Sequence, residues 1–172
     1  ANNDGRGVRL NTPDLIDMTD SLIMGHPEST GLVVSAANAR SVFRDNRIEG
    51  ARFVASVIPN VVEALVDNNT LLDTDRGLYL RAGGLSIDAE WPALAFEYVV
   101  TGAADLTVRA GSTLTLAPGL VMKFTAQVGY GNDSDLFVDG GLVALGTPEE
   151  PIMLTSLRDD GPGGDTNGDG VG

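Results

Sequence analysis

Cysteine is absent from the chain, which also contains only one histidine and one lysine. Without cysteine the chain has no disulfide, no thiolate zinc site and no cysteine nucleophile. The single histidine, His26, has no second histidine with which to form a metal site. Its position in Gly25-His26-Pro27 favours a turn residue over a general base. Several common kinds of catalytic and metal centre are therefore excluded.

Positive charge is also scarce, with 11 basic residues against 24 acidic ones and a net charge of −13. A field of this sign repels phosphate backbones, so we expect no nucleic-acid partner. It also disfavours anionic membranes, and no run of 18 apolar residues exists to span a bilayer, so we expect no membrane insertion. Such a surface attracts divalent cations, and it also keeps an exposed protein soluble.

Aromatic residues make up only 5% of the chain, so the core must consist of Val, Leu, Ile and Ala. The 22 glycines occur with Pro, Asn and Asp in short clusters along the whole length. Frequent turns between short apolar runs indicate an all-β chain. One helical turn at residues 61–65 is compatible with the pattern but is not predicted, because Pro59 and the cluster Asp67-Asn68-Asn69 flank it.

Internal repeats are the most informative feature of the sequence. Residues 106–111 match residues 136–141, and each copy is followed by an alternating strand, a Gly/Pro turn and a further strand. In the first half, the Asp45-Asn46 pair recurs 22 residues later, and residues 31–36 resemble residues 51–56 at a shift of 20. Repeating units of roughly 20–30 residues with three short strands are typical of a solenoid.

The alternation within these strands predicts which side chains face the core. One parity is apolar, as in Leu106 and Val108, Leu114 and Leu116, and Ile152 and Leu154, whereas the other parity carries threonines and Arg109. We therefore predict an all-β, right-handed parallel β-helix, a three-sided solenoid of about seven coils and roughly 35 Å in length. A β-sandwich is the alternative, but no two-residue Asn-Gly or Asp-Gly hairpin joins the paired strands.

The C-terminal half also resembles a known kind of module. Residues 106–119 (LTVRAGSTLTLAPG), 146–160 (GTPEEPIMLTSLRDD) and 163–170 (GGDTNGDG) together resemble a right-handed parallel β-helix module of large bacterial secreted or cell-surface proteins. The resemblance covers about the last 70 residues, and the first 100 fit only the general β-helix pattern. It implies a repetitive, adhesin-like scaffold outside the cell.

The strongest local motif is Asp165-Thr166-Asn167-Gly168-Asp169-Gly170, within an acidic, Asp/Gly-rich region at 159–172. Oxygen-bearing side chains at alternate positions before a glycine match the first half of an EF-hand-type calcium loop. We predict Ca²⁺ ligands at Asp165, Asn167 and Asp169 and at the backbone carbonyl of Val171. The later acidic ligand of such a loop is missing, and Asp159 and Asp160 are candidates to replace it.

A carbohydrate-active enzyme or sugar-binding module is the rival hypothesis, with a glycan as its partner. Trp91, with Phe96 and Tyr98 nearby, is a candidate sugar platform, although such clusters more often cover a core. Candidate catalytic groups are Lys123 with Asp133, Asp135 and Asp139 for a lyase, and the pairs Asp73/Asp75 and Asp45/Asp67 for an inverting glycosidase. With 24 acidic residues, neighbouring carboxylates arise by chance, so we favour a non-catalytic reading.

We therefore predict one β-helix domain over residues 1–172, belonging to a longer extracellular or cell-surface protein. Its function is structural or adhesive. An uncovered last coil exposes unpaired strand edges and apolar groups. We expect that end to be covered by the remainder of a longer chain or by self-association through the coil ends.

Overall fold

A computed structural model describes residues 7–72, 76–101, 105–125 and 133–170. These residues form eighteen short strands and one short helix, and every strand pairing among them is parallel. The strands are β1 (Val8–Asn11), β2 (Asp17–Thr19), β3 (Leu22–Met24), β4 (Thr30–Ala36), β5 (Val42–Arg44), β6 (Arg47–Glu49), β7 (Phe53–Val57), β8 (Thr70–Leu71), β9 (Leu78–Leu80), β10 (Gly83–Leu85), β11 (Ala89–Trp91), β12 (Tyr98–Val100), β13 (Leu106–Val108), β14 (Thr113–Leu116), β15 (Val121–Phe124), β16 (Leu136–Val138), β17 (Gly141–Ala144) and β18 (Met153–Ser156). A 3-10 turn (Pro59–Val61) leads into the helix α1 (Val62–Asp67).

One sheet runs the full length of the described column. Its seven strands lie in the order β1-β4-β7-β9-β12-β15-β18, and we call it the long sheet. The other two faces carry the sheets β2-β5 and β3-β6-β8 in the first coils and β10-β13-β16 and β11-β14-β17 in the later ones. Each coil thus adds strands to successive faces, as predicted for a parallel β-helix. In particular, Leu114 lies beside Leu142 in parallel strands.

The register corrects part of the repeat analysis. The predicted match of Leu106 with Leu136 is confirmed, but the predicted shift of 20 in the first half is wrong, because Leu32 pairs with Ala55. A shift of 20 would have placed Arg52 opposite the buried Leu32 and turned a charged side chain toward the core. The number of coils is also slightly smaller than seven, since β18 begins a coil that the described residues do not complete.

The core consists of inward columns of apolar side chains from successive coils. Leu78, Tyr98 and Met122 form one such column, and all three are fully buried. Leu106, Val108, Leu114 and Leu116 are buried as the alternation predicts.

The helix α1 is a departure from the expected all-strand pattern. It takes the place of a strand in the third coil and buries Val62, Leu65 and Val66, which recur at helical spacing. Pro59 is compatible with this because it lies at the first position of the preceding turn. The Asn69 side chain donates to the carbonyl of Leu65 (2.9 Å), so the turn cluster ends the helix instead of excluding it. Of the described helical residues, none forms a helix long and apolar enough to cross a membrane.

The C-terminal end of the column exposes the side chains of its last coil. Leu154, predicted to face inward, is 48% exposed because no further strand lies beyond β18 in the described part of the chain. The other large apolar residues exposed on the last coil are Phe137, Val138, Leu142, Val143, Leu145 and Met153. This end, which we call the open end, presents both apolar groups and strand edges.

Candidate metal centre

The acidic C-terminal region packs against the outer face of the long sheet, where Lys123 anchors it. Lys123 lies in β15 between Val99 and Thr155, and it is 0% exposed. Its Nζ donates to the carbonyl oxygens of Asp159 (2.9 Å) and Gly164 (2.7 Å) and to Thr166 Oγ1 (2.8 Å). A lone lysine on the outer face of a strand is thereby covered by the segment that follows β18.

Glu97 compensates the charge of this buried lysine. Its side chain is almost fully buried, and its Oε1 lies 3.6 Å from Lys123 Nζ. The Thr166 hydroxyl donates to the same Oε1 at 2.7 Å. Because a buried charge is tolerated only when it is paired and hydrogen-bonded, this network fixes the position of the segment from Asp159 to Thr166. We call Lys123, Glu97 and Thr166 the buried clasp.

The loop that follows Thr166 is held by its own side chains. The two carboxylate oxygens of Asp165 accept the backbone N–H groups of Gly168 (2.6 Å) and Gly170 (3.1 Å). Asn167 Oδ1 accepts the N–H of Asp169 at 3.1 Å, and Arg76 donates to the Asn167 carbonyl. Gly168 has φ +73°, a left-handed conformation that side chains disfavour. The motif therefore forms a tight turn around the Asp165 carboxylate.

Three carboxylates converge at this turn. Oxygens of Asp160, Asp165 and Asp169 all lie within 4.8 Å of one another. Asp165 and Asp169 were predicted as ligands, and Asp160 was one of two candidates for the missing carboxylate. Asn167 is adjacent, with its Nδ2 donating to Asp169 Oδ2 at 2.8 Å. Val171 lies outside the described residues.

Asp159, the other candidate, has a different role. Its Oδ2 accepts the Thr155 hydroxyl at 2.6 Å and its Oδ1 accepts the N–H of Gly161 at 3.0 Å. The hydrogen bond from Thr155, followed by that from Gly161 and the charge of Lys123, lowers the pKa of the Asp159 carboxyl. Asp159 thus closes the turn after β18, and it is not among the three converging carboxylates.

Oxygen donors of this kind suit a hard cation. Carboxylate and carbonyl oxygens are preferred ligands of Ca²⁺ and Mg²⁺, and Ca²⁺ accepts the more irregular geometries. Three carboxylates so close together repel one another when no cation lies between them. Three carboxylate oxygens thus lie close enough together, on a firmly anchored segment, to contact a single cation.

Most of the residues proposed for carbohydrate chemistry make structural contacts instead. Trp91 and Tyr98 are fully buried and stack at 5.4 Å, so the aromatic cluster belongs to the core and offers no sugar platform. Lys123 is held in the buried clasp. Asp133 and Asp135 line an open cleft of about 650 Å³ together with Leu154, but neither Lys123 nor Asp139 lines it.

The other candidate catalytic residues that the structure describes also lie in turns or at a helix end. Asp45 has a positive φ of 58° in a turn and pairs with Arg44 at 3.4 Å on the surface, while Asp67 ends α1. The pair Asp73/Asp75 lies outside the described residues. His26 Nδ1 accepts the N–H of Glu28 at 3.2 Å, which confirms a turn residue.

The buried clasp is the feature that sequence reasoning missed. The sequence pointed to Lys123 only as the single lysine and as a candidate lyase residue, and it did not point to Glu97. Their pairing joins two neighbouring coils, and the segment that covers them folds back from positions 36 or more residues beyond Lys123.

No family model, no curated protein and no solved structure matches the chain.

Proposed function

We propose that the protein is a non-catalytic structural or adhesive module, a rigid acidic rod of an extracellular or cell-surface protein like those of bacteria. The observation that carries this proposal is the long sheet of seven parallel strands, which ends in an apolar, unpaired coil. Such a column gives length and stiffness, and its open end provides a surface on which another coil stacks. Because the net charge is −13, the sides of separate rods repel one another.

The proposed role of calcium is to order the acidic turn. Ca²⁺ bound among Asp160, Asp165 and Asp169 removes their mutual repulsion, with Asn167 and the Val171 carbonyl as further proposed ligands. No step of catalysis is involved, since the ion acts on the stability of a segment already anchored by the buried clasp. The C-terminal region thereby becomes a calcium-dependent cover of the long sheet.

Calcium is expected to raise the melting temperature of the chain relative to chelator. At a free Ca²⁺ concentration 100 times the dissociation constant, the gain is about 2.7 kcal/mol, or about 5–10 °C for a domain of this size. Differential scanning calorimetry in CaCl₂ and in EDTA measures it.

Matched variants locate the effect. Asp160→Asn, Asp165→Asn and Asp169→Asn each remove one charge from the cluster and are expected to reduce or abolish the shift. Asp139→Asn removes an exposed carboxylate outside the cluster and should leave it unchanged. A melting temperature that calcium does not move, or a shift that Asp139→Asn reduces equally, contradicts the metal centre.

The open end is proposed to stack on a further β-helical coil, and a second copy of this chain can supply one. Both ends of the column are built from parallel strands running around the same three faces, so head-to-tail stacking continues the sheets. Leu142 and Leu154, which continue the inward columns of Leu114 and Met122, are 38% and 48% exposed at this end.

We therefore expect concentration-dependent association that Leu142→Lys with Leu154→Lys weakens at least tenfold, as measured by sedimentation velocity. Val42→Lys is the control, because Val42 is a partly exposed apolar residue on the flank of the second coil. A chain that remains monomeric at every accessible concentration excludes the second copy and leaves the remainder of a longer chain as the partner of the open end.

A further inference from the structure

A groove crosses the outer face of the long sheet over the first four coils, at the opposite end from the open end. It has a volume of about 390 Å³. Its lining comes from β1, β4, β7 and β9 and the residue after β9, and the side chains that matter here are Arg9, Ser56, Phe53, Tyr79 and Arg81. Neither the calcium proposal nor the stacking proposal involves these residues.

The groove concentrates positive charge in a strongly acidic protein. Arg9 is exposed, and Arg81 reaches Ser56 Oγ at 3.4 Å. Neither arginine forms a salt bridge with any carboxylate of the described ranges. The two arginines come from strands three spacings apart, or roughly 14 Å along the column. Two guanidinium groups at opposite ends of a groove suit a ligand that carries more than one anionic group.

Between the arginines the groove has an aromatic wall with a hydroxyl. Phe53 and Tyr79 stack at 4.1 Å with an interplanar angle of 24°, and both are half-buried. The Arg52 guanidinium lies 5.7 Å from the Phe53 ring centroid and forms an ion pair with Glu28 at 3.6 Å, so the unpaired positive charge of the groove comes from Arg9 and Arg81. Burial raises the pKa of Tyr79 despite the opposing charges of Arg76 and Arg52, so its hydroxyl stays protonated and can donate a hydrogen bond.

Strand addition cannot occur on the inner strands beneath the groove. β4, β7 and β9 each pair with a neighbour on both sides, so their backbone groups are already used. A ligand in the groove is therefore recognised through side chains, by guanidinium, hydroxyl and ring contacts. A chain of sugar rings bearing carboxylates matches all three, since it offers anions at intervals, many hydroxyls and apolar ring faces.

We infer that this groove binds an acidic oligosaccharide, with uronic-acid carboxylates on Arg9 and Arg81 and a sugar ring against Phe53 and Tyr79. The strands β1 to β9 fix the spacing of these groups, so the site is preformed. The inference is independent of the metal centre, and it gives the module an adhesive surface on its flank.

Isothermal titration of the full chain with trigalacturonate, in EDTA so that calcium bridges do not contribute, tests the inference. Binding is expected with trigalacturonate and not with the neutral galactose trimer. Because Arg81→Gln removes one charge-assisted pair with the ligand, it is expected to weaken binding at least tenfold. Arg9→Gln should weaken it in the same direction.

Arg40→Gln is the matched control, because Arg40 is exposed in the loop before β5 and its loss changes the net charge equally. It should change the affinity less than twofold. Circular dichroism establishes that each variant is folded. Absence of binding to trigalacturonate, equal binding of the neutral trimer or of a short poly-glutamate peptide, or an equal loss in Arg40→Gln overturns the inference.

Discussion

Replacing Lys123 by alanine is expected to lower the free energy of unfolding by about 3–5 kcal/mol, because it leaves a buried charge without its partner. Glu97 is only 3% exposed and has Lys123 as its ion-pair partner at 3.6 Å. The same substitution removes the donor shared by Asp159, Gly164 and Thr166. Urea denaturation followed by circular dichroism measures the loss.

A second variant separates the buried charge from simple loss of packing. The double substitution Lys123→Met with Glu97→Gln removes both charges and keeps most of the volume, so it is expected to cost less than Lys123→Ala alone. Both variants should also weaken the calcium response, since the cluster depends on the anchored segment. A loss below about 1 kcal/mol for Lys123→Ala contradicts the buried clasp.

The second large effect is expected at Trp91, where replacement by alanine should cost about 3–5 kcal/mol. Trp91 is fully buried in β11, lies beside Leu116 of the neighbouring strand β14 and stacks on Tyr98. Its removal leaves a cavity between two coils that the surrounding strands cannot close without breaking register. Thermal and urea unfolding of the variant measure the loss, and sugar binding is expected to be unaffected.

Trp91→Phe is the matched variant for this position. The Trp91 Nε1 has no hydrogen-bond partner among the described residues, so phenylalanine removes an unpaired donor while it keeps an aromatic ring. We expect a loss well below that of Trp91→Ala, since the smaller cavity is offset by relief of the unsatisfied N–H group. A mild effect of Trp91→Ala together with a loss of oligosaccharide binding would instead favour the sugar platform.

The sequence predicted the fold where each strand repeats its alternation. Leu106 and Leu114 occupy inward positions, and the repeat of 30 residues matches the observed register. In the first half, the similarity of apolar residues at a shift of 20 gave the wrong pairing. Leu32 pairs with Ala55 because both side chains face the core, and this requirement sets the register. The helix α1 was missed because its flanking turn residues looked like strand boundaries.

The site was predictable only where its residues are neighbours in the chain. Asp165 and Asp169 belong to one loop motif, and Asp160 lies close enough before it to be named as a candidate. Lys123 and Glu97 come from different coils, and Arg9 and Arg81 are three strands apart, so only the register of the long sheet brings them together. The spacing of residues within one strand does not predict contacts between residues of different coils.

The stacking of coils in this register can be tested by a cross-link, because the chain has no cysteine of its own. Thr115 lies beside Val143 in parallel strands, and paired parallel strands are about 4.8 Å apart, within the Cα separation that a disulfide accepts. Thr115→Cys with Val143→Cys should therefore oxidise to an intramolecular disulfide, detected by mass spectrometry. Thr107→Cys with Val143→Cys, on different faces, should not. A disulfide in the second pair and none in the first would contradict the parallel β-helix on which every proposal here depends.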